Sequence, residues 1–203
     1  MVRRSGTRSP GRPREFDEDD VLERALEVFW RQGYEGTSLD DLLDATGMAR
    51  QSLYRVFGNK HEVFLRALER YGSTRMKSVR EHLLESPSPR AALHELLDMW
   101  ERRAAAPDFI GCLVMNSLTE FACQTDEDVQ TCTQAELDAL QKTLIATLKR
   151  AEELGELSLA RPPREIAHRF VGVVVAVTHL GRSGAKRSIL RSVVDGAREL
   201  LTV

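Results

Sequence analysis

No stretch of this chain is long and apolar enough to cross a bilayer. Its longest apolar run, Phe170 to Val177, is eight residues, against the roughly 20 that a spanning helix needs. Cysteine is scarce: Cys112, Cys123 and Cys132 are odd in number and form no CxxC pair, which argues against a disulfide framework and a zinc knuckle and leaves free thiols. No excess of one charge sign exists, because 29 Lys+Arg meet 31 Asp+Glu for a net charge of -2. Bulk polycation chemistry is therefore excluded, and only local patches can matter. The Arg-rich start is followed by no apolar segment, so no secretory signal is read and a cytoplasmic protein is expected.

Catalytic signatures are missing as well, since GxxxxGK, GxSxG and HExxH do not occur. One ExxH, Glu165 with His168, is half of what a di-iron carboxylate site takes. His168 and His179 stand 11 residues apart on one helical stripe, too far along the axis to share a metal, and read as packed or hydrogen-bonded side chains. No enzyme activity, cofactor or metal is expected.

What is present is helical periodicity throughout a 203-residue chain that is 42% hydrophobic, enough to bury a core. Residues 1 to 14 carry Arg3, Arg4, Arg8, Arg12 and Arg14 with no acid, among Ser, Gly and Pro, and read as a flexible basic arm. Asp17 then offers a helix cap, with Phe16 and Val21 spaced as a hydrophobic staple. Leu22, Ala25, Leu26 and Phe29 continue an apolar stripe that Gly33 ends. Ser38 with Asp41 forms a capping box for a short helix that Gly47 stops. Met48 to Phe57 reads as a third helix, and Asn59 with Glu62 caps a long fourth one through about Leu84. Further helical patterns cover Ala91 to Arg103, Phe109 to Phe121, Glu127 to Leu154, Pro163 to Leu180 and Lys186 to Leu201, with no strand between them. The fold class is all-α.

Two short helices joined at Gly47 and flanked by longer ones are laid out like a helix-turn-helix. At 100° per residue Ala49, Leu53, Val56 and Phe57 gather on one side of the third helix, while Arg50, Gln51, Tyr54 and Arg55 gather on the other. Arg and Gln hydrogen-bond base edges, and the Tyr54 hydroxyl suits a phosphate oxygen. Lys60 opens the fourth helix, whose free N–H groups already favour an anion. A solvated polar helix face is the ordinary alternative for such a patch.

Gly33-Tyr34, Thr37-Ser38-Leu39, Ala45-Thr46-Gly47-Met48, Ser52-Leu53-Tyr54 and Phe57-Gly58-Asn59-Lys60 together resemble the DNA-binding domain of TetR-family transcriptional regulators. The resemblance covers about residues 17 to 71. It implies a homodimer that reads a double-stranded DNA operator, usually as a repressor, with a C-terminal domain holding an effector pocket and the dimer interface. It divides the chain into an arm (1–14), a helix-turn-helix DNA-binding domain (15–71) and a helical effector-binding and dimerisation domain (72–203). By position it turns Arg50, Gln51 and Ser52 to bases and Thr37, Tyr54 and Lys60 to the backbone, with Arg55 on the same face. One departure stands out: Ala49 occupies a position where the family usually has Ser or Thr, so the third helix lacks a side-chain cap. Gly11-Arg12-Pro13-Arg14 resembles an AT-hook core, which would put Arg12 and Arg14 in a minor groove.

In the C-terminal half, Met99, Trp100, Phe109, Met115 and Phe121 are candidates to enclose a small-molecule effector, as the resemblance implies, with Cys112 and His168 as further candidates. Ordinary core packing is the competing reading for each. The local Gly111-Cys112-Leu113 resembles a stretch in some family members and raises thiol sensing as an idea; if Phe109 to Phe121 continues as a helix, Cys112 and Cys123 share its inward face. The apolar helix 163 to 180 and the stripe Ile189, Leu190, Val193, Val194, Ala197, Leu200 and Leu201 suit an intersubunit four-helix bundle. The alternative to a regulator is an all-α carrier or enzyme that keeps the helix-turn-helix shape.

Overall fold

The computed structural model describes residues 17 to 201, and Arg12, Arg14 and the staple residue Phe16 lie outside them. Among the described residues all regular structure is helical. Helix α1 (Glu18–Gly36) starts on Asp17, whose side chain accepts from the Asp19 N–H at 2.9 Å, and three acids in its first turn complement the helix dipole. Gly33 adopts φ 79° and ψ 176°, a break that lets the chain turn before the last residues of α1 rather than stopping it outright.

Both capping boxes form as the spacing predicts: Ser38 and Asp41 open α2 (Leu39–Thr46), and Asn59 and Glu62 open α4 (Lys60–Tyr71). Between them, Gly47 closes α2 in the left-handed region at φ 68°. Helix α3 (Arg50–Phe57) begins two residues later than its apolar pattern suggests, with Ala49 in the capping position and no side-chain hydrogen bond there. Leu26, Phe29, Leu42, Leu53, Phe57 and Phe64 fill the space among these four helices.

The expected single helix to residue 84 is interrupted. A π-turn, Gly72–Met76, separates α4 from α5 (Lys77–Glu85). The Glu136 carboxylate comes so close to Gly72 that a Cβ there would lie 2.1 Å from its oxygen, and Arg80 holds Glu136 at 2.7 Å. Such one-turn bulges are frequent at functional sites.

Helix α6 (Pro89–Ala104) has Pro in its first turn and Ser88 as cap, and α7 (Leu113–Glu120) follows an irregular segment. The pattern 109–121 is therefore helical only from Leu113, because Gly111 sits at φ 88° and redirects the backbone. Cys112 thus precedes the helix and Cys123 follows it, exposed, so they share no inward helical face. Helices α8 (Glu127–Glu153), α9 (Pro163–Arg182) and α10 (Arg187–Arg198) complete the chain, a short 3-10 turn Glu199–Leu201 extending α10.

Two cores result. One joins α6, α8, α9 and α10 through Leu93, Leu97, Leu144, Leu148, Phe170 and Leu190. The other contains the α1–α4 residues but also Leu113, Met115, Phe121 and Val129. Phe121 packs its ring 5.3 Å from Tyr34 and 5.7 Å from Phe64.

Candidate functional site

Helix α3 presents Arg50, Gln51, Tyr54 and Arg55 as exposed side chains, while Leu53 and Phe57 are buried beneath them. Tyr54 is 44% exposed, unusual for a ring on a folded domain and suited to a surface contact. Arg50 reaches Asp40 on α2 at 3.4 Å, an exposed pair of little energy that leaves the guanidinium available. Ser52 is half-buried on the same helix. Lys60 lies with its ammonium 4.3 Å above the Tyr34 ring, which fixes its direction at the start of α4. Thr37 is placed differently from the others: it is 1% exposed and its hydroxyl donates to the Gly33 carbonyl at 2.6 Å, closing the broken end of α1.

The second site is a cavity of about 80 Å³ between the π-turn, α6, α7 and α9. Five of the seven candidates line it: Met99, Trp100, Phe109, Cys112 and Met115. Two do not. Phe121 belongs to the core shared with α1 and α4, and His168 is exposed, its Nε2 2.8 Å from the Gln141 amide. His179 is held by Thr119 at 2.6 Å and by the Val175 carbonyl at 2.9 Å, a hydrogen-bonded histidine as the spacing suggests.

Sequence reasoning missed the polar wall: Tyr71, Arg75, Arg103 and Thr178 also line the cavity. No periodicity could reveal it, because these residues come from four segments brought together only by packing. Burial drives the Tyr71 phenol well above its usual pKa, so it stays protonated, and it hydrogen-bonds Cys112. Burial also pushes the Cys112 thiol up, and the Tyr71 contact only partly offsets this, which disfavours the thiolate.

Polar links tie the two halves. Trp30 on α1 donates its indole N–H to the Gly111 carbonyl at 3.0 Å. Arg75 pairs with Glu23 at 2.6 Å and Glu27 at 3.3 Å on α1, and stacks 5.1 Å over the Trp30 ring. The Arg75 hydrogen bond holds the Glu23 carboxyl below its usual range. His61 on α4 meets Asp126 at 2.8 Å. With Asp128 these two could surround a cation, their ligand atoms lying within 4.8 Å of one another. However, Asp126 already caps α8 with one oxygen and holds His61 with the other, so the group is accounted for as a hydrogen-bonded contact between α4 and the start of α8.

Comparison with known proteins agrees with this geometry. Residues 21–67 match the family described as bacterial regulatory proteins, tetR family, and residues 89–196 match the tetracyclin repressor-like C-terminal domain. YezE of Bacillus subtilis, described as an uncharacterized HTH-type transcriptional regulator, is 36% identical over 149 residues, covering 73% of this chain and 76% of its own. The HTH-type transcriptional repressor ComR of Escherichia coli is 28% identical over 180 residues, 88% of this chain and 85% of its own. A cysteine-substituted form of the TetR family transcriptional regulator CifR, solved with a 26bp double-strand operator DNA, superposes with a TM-score of 0.81 at 31% identity, covering 94% of this chain and 100% of that one. With its two matched domains and these relatives, the chain belongs to the TetR family of DNA-binding transcriptional regulators.

Proposed function

We propose that the protein works as a homodimeric, cytoplasmic repressor that binds a two-fold operator through α3 and is released when a small molecule occupies the cavity beside the π-turn. The observation that carries the DNA half is the exposed row Arg50, Gln51, Tyr54 and Arg55 on a helix whose opposite side is buried. Arg50 and Gln51 read bases, with Ser52 beside them, while Tyr54, Arg55 and Lys60 hold phosphates. Thr37, being buried, supports this surface by fixing the turn after α1 and adds a phosphate contact only if that turn opens. Arg12 and Arg14 supply minor-groove contacts from the arm.

Two-fold reading requires a dimer, because half-sites about 34 Å apart need two recognition helices at fixed spacing. Helices α9 and α10 offer the surface: Ile189 is 47% exposed, and Gly172 and Gly196 have open space where a side chain would stand. The effector half rests on a mostly apolar cavity with convergent polar groups, the usual character of a ligand site. No helix among the described residues is long and apolar enough to cross a membrane.

The test is selection of bound fragments from a random DNA pool with purified protein at about 150 mM salt. Enrichment of a palindrome supports the reading and supplies the probe for effector screening. Absence of any enriched sequence, with tight binding of a small molecule, favours the carrier alternative.

A further inference from the structure

We propose that the cavity takes a small organic anion, a carboxylate on a compact apolar body, and that this anion competes with Glu23 and Glu27 of α1 for Arg75. The proposal rests on the effector reading above and names both the ligand class and the residue through which binding is felt by the reading head.

The cavity wall is apolar over most of its extent, yet two guanidinium groups, Arg75 and Arg103, belong to it. The Arg103 side chain, exposed at the edge of the cavity, has no ion-pair or hydrogen-bond partner among the described residues. A cation at an apolar cavity with no counter-charge is a ready anion site, and Arg presents a fork that fits a carboxylate with two parallel hydrogen bonds. At about 80 Å³ the space suits a molecule of a few heavy atoms. Thr178 and the protonated Tyr71 hydroxyl add neutral polar groups to the wall, and no Asp or Glu lines it to repel an anion.

Arg75 differs from Arg103 in being already engaged. It sits in the π-turn, reaches Glu23 and Glu27 on α1, and lies over the rings of Trp30 and Tyr71. Arg75 is thus shared by the cavity and the first helix of the DNA-binding half. An anion in the cavity and the two glutamates of α1 draw on the same guanidinium: both glutamates use its Nη2, and an anion on the remaining N–H groups neutralises the charge that holds them. By linkage, a ligand that takes Arg75 weakens the anchorage of α1, and an anchored α1 weakens the ligand. The π-turn supplies the slack, since its widened backbone lets residue 75 shift without unwinding α4 or α5.

The experiment uses full-length protein and the fluorescence of its two tryptophans, Trp30 under Arg75 and Trp100 in the cavity wall. Acetate and butanoate are titrated against acetamide and butanamide, and operator affinity is followed in parallel. The acids should quench and release DNA while the amides do neither. Arg103→Met should weaken acid binding about ten- to hundredfold. The double variant Glu23→Gln, Glu27→Gln should act in two opposite directions: acids bind about fivefold tighter or more, while their power to release DNA falls. A merely structural role for the glutamates would not tighten ligand binding. If amides match acids, or neither series binds while uncharged compounds of a wider library release DNA, the anion proposal is overturned and the effector reading survives. If no compound of either charge alters operator affinity, the effector reading fails with it.

Discussion

Glu120, at the end of α7, accepts the backbone N–H of Tyr34 at 3.0 Å with one carboxylate oxygen and that of Glu35 at 2.7 Å with the other. The break at Gly33 frees these N–H groups from the helix, and a side chain of α7 takes them up. Glu120→Ala leaves them without that acceptor and should cost about 1.5–3 kcal/mol of stability. Urea unfolding measures it, and a loss below about 0.5 kcal/mol would show that water replaces the carboxylate at no cost.

Division of labour on the DNA-reading surface is tested by two substitutions. Arg50→Ala should cost about 1–3 kcal/mol on the preferred operator and relax preference at one base pair, while Lys60→Ala should weaken all DNA alike and lower the salt slope by about 1. Binding measured across operator variants at several salt concentrations separates them, and matching profiles for the two would remove the distinction.

Ala49 leaves the start of α3 uncapped. Ala49→Ser should therefore raise stability by about 1 kcal/mol by accepting a first-turn N–H. Thermal unfolding reads this directly, and an unchanged or lower Tm would mean that those N–H groups already have an equal partner in water.

Because Arg75 holds the Glu23 carboxyl below its ordinary value of 4.5, folding gains from the ionised form. With the folded value depressed, that gain is present above the unfolded value and disappears as pH falls through the folded one. The stability gap between wild type and Glu23→Gln should be widest near neutrality and close below about pH 4.5. A gap independent of pH would deny the pairing its electrostatic character.

Thiol chemistry should favour Cys123. It is exposed, whereas burial raises the Cys112 thiol and pushes Cys132 up to about 11. Brief iodoacetamide treatment followed by peptide mapping should place most label on Cys123. Preferential labelling of Cys112 would restore it as a sensor.

Local signals were legible in advance and long-range ones were not. Ser38 with Asp41, Asn59 with Glu62, and Gly47 write their helix ends into three or four neighbouring residues, so the DNA-reading half was readable. The π-turn at Gly72 lies against Glu136, which arrives from α8, and the irregular segment before Leu113 carries the Gly111 carbonyl that accepts from Trp30. Neither partner is near in sequence. The apolar lining of the cavity could be guessed from Met99, Trp100, Phe109 and Met115, but Phe121 is as apolar and packs in the other core, and His168 is exposed against Gln141. Thr37 illustrates the reverse: its motif suggests a surface contact, while its hydroxyl is consumed inside.

The core that holds α1 to α4 does not end with them, for Leu113, Met115, Phe121 and Val129 complete it. Grafting experiments that exchange reading heads between relatives at residue 71 would therefore cut through packed side chains rather than through a hinge. A transplant that carries α7 and the first turn of α8 along with the head keeps those surfaces matched, and this sets the smallest portable unit of the protein as one discontinuous in sequence.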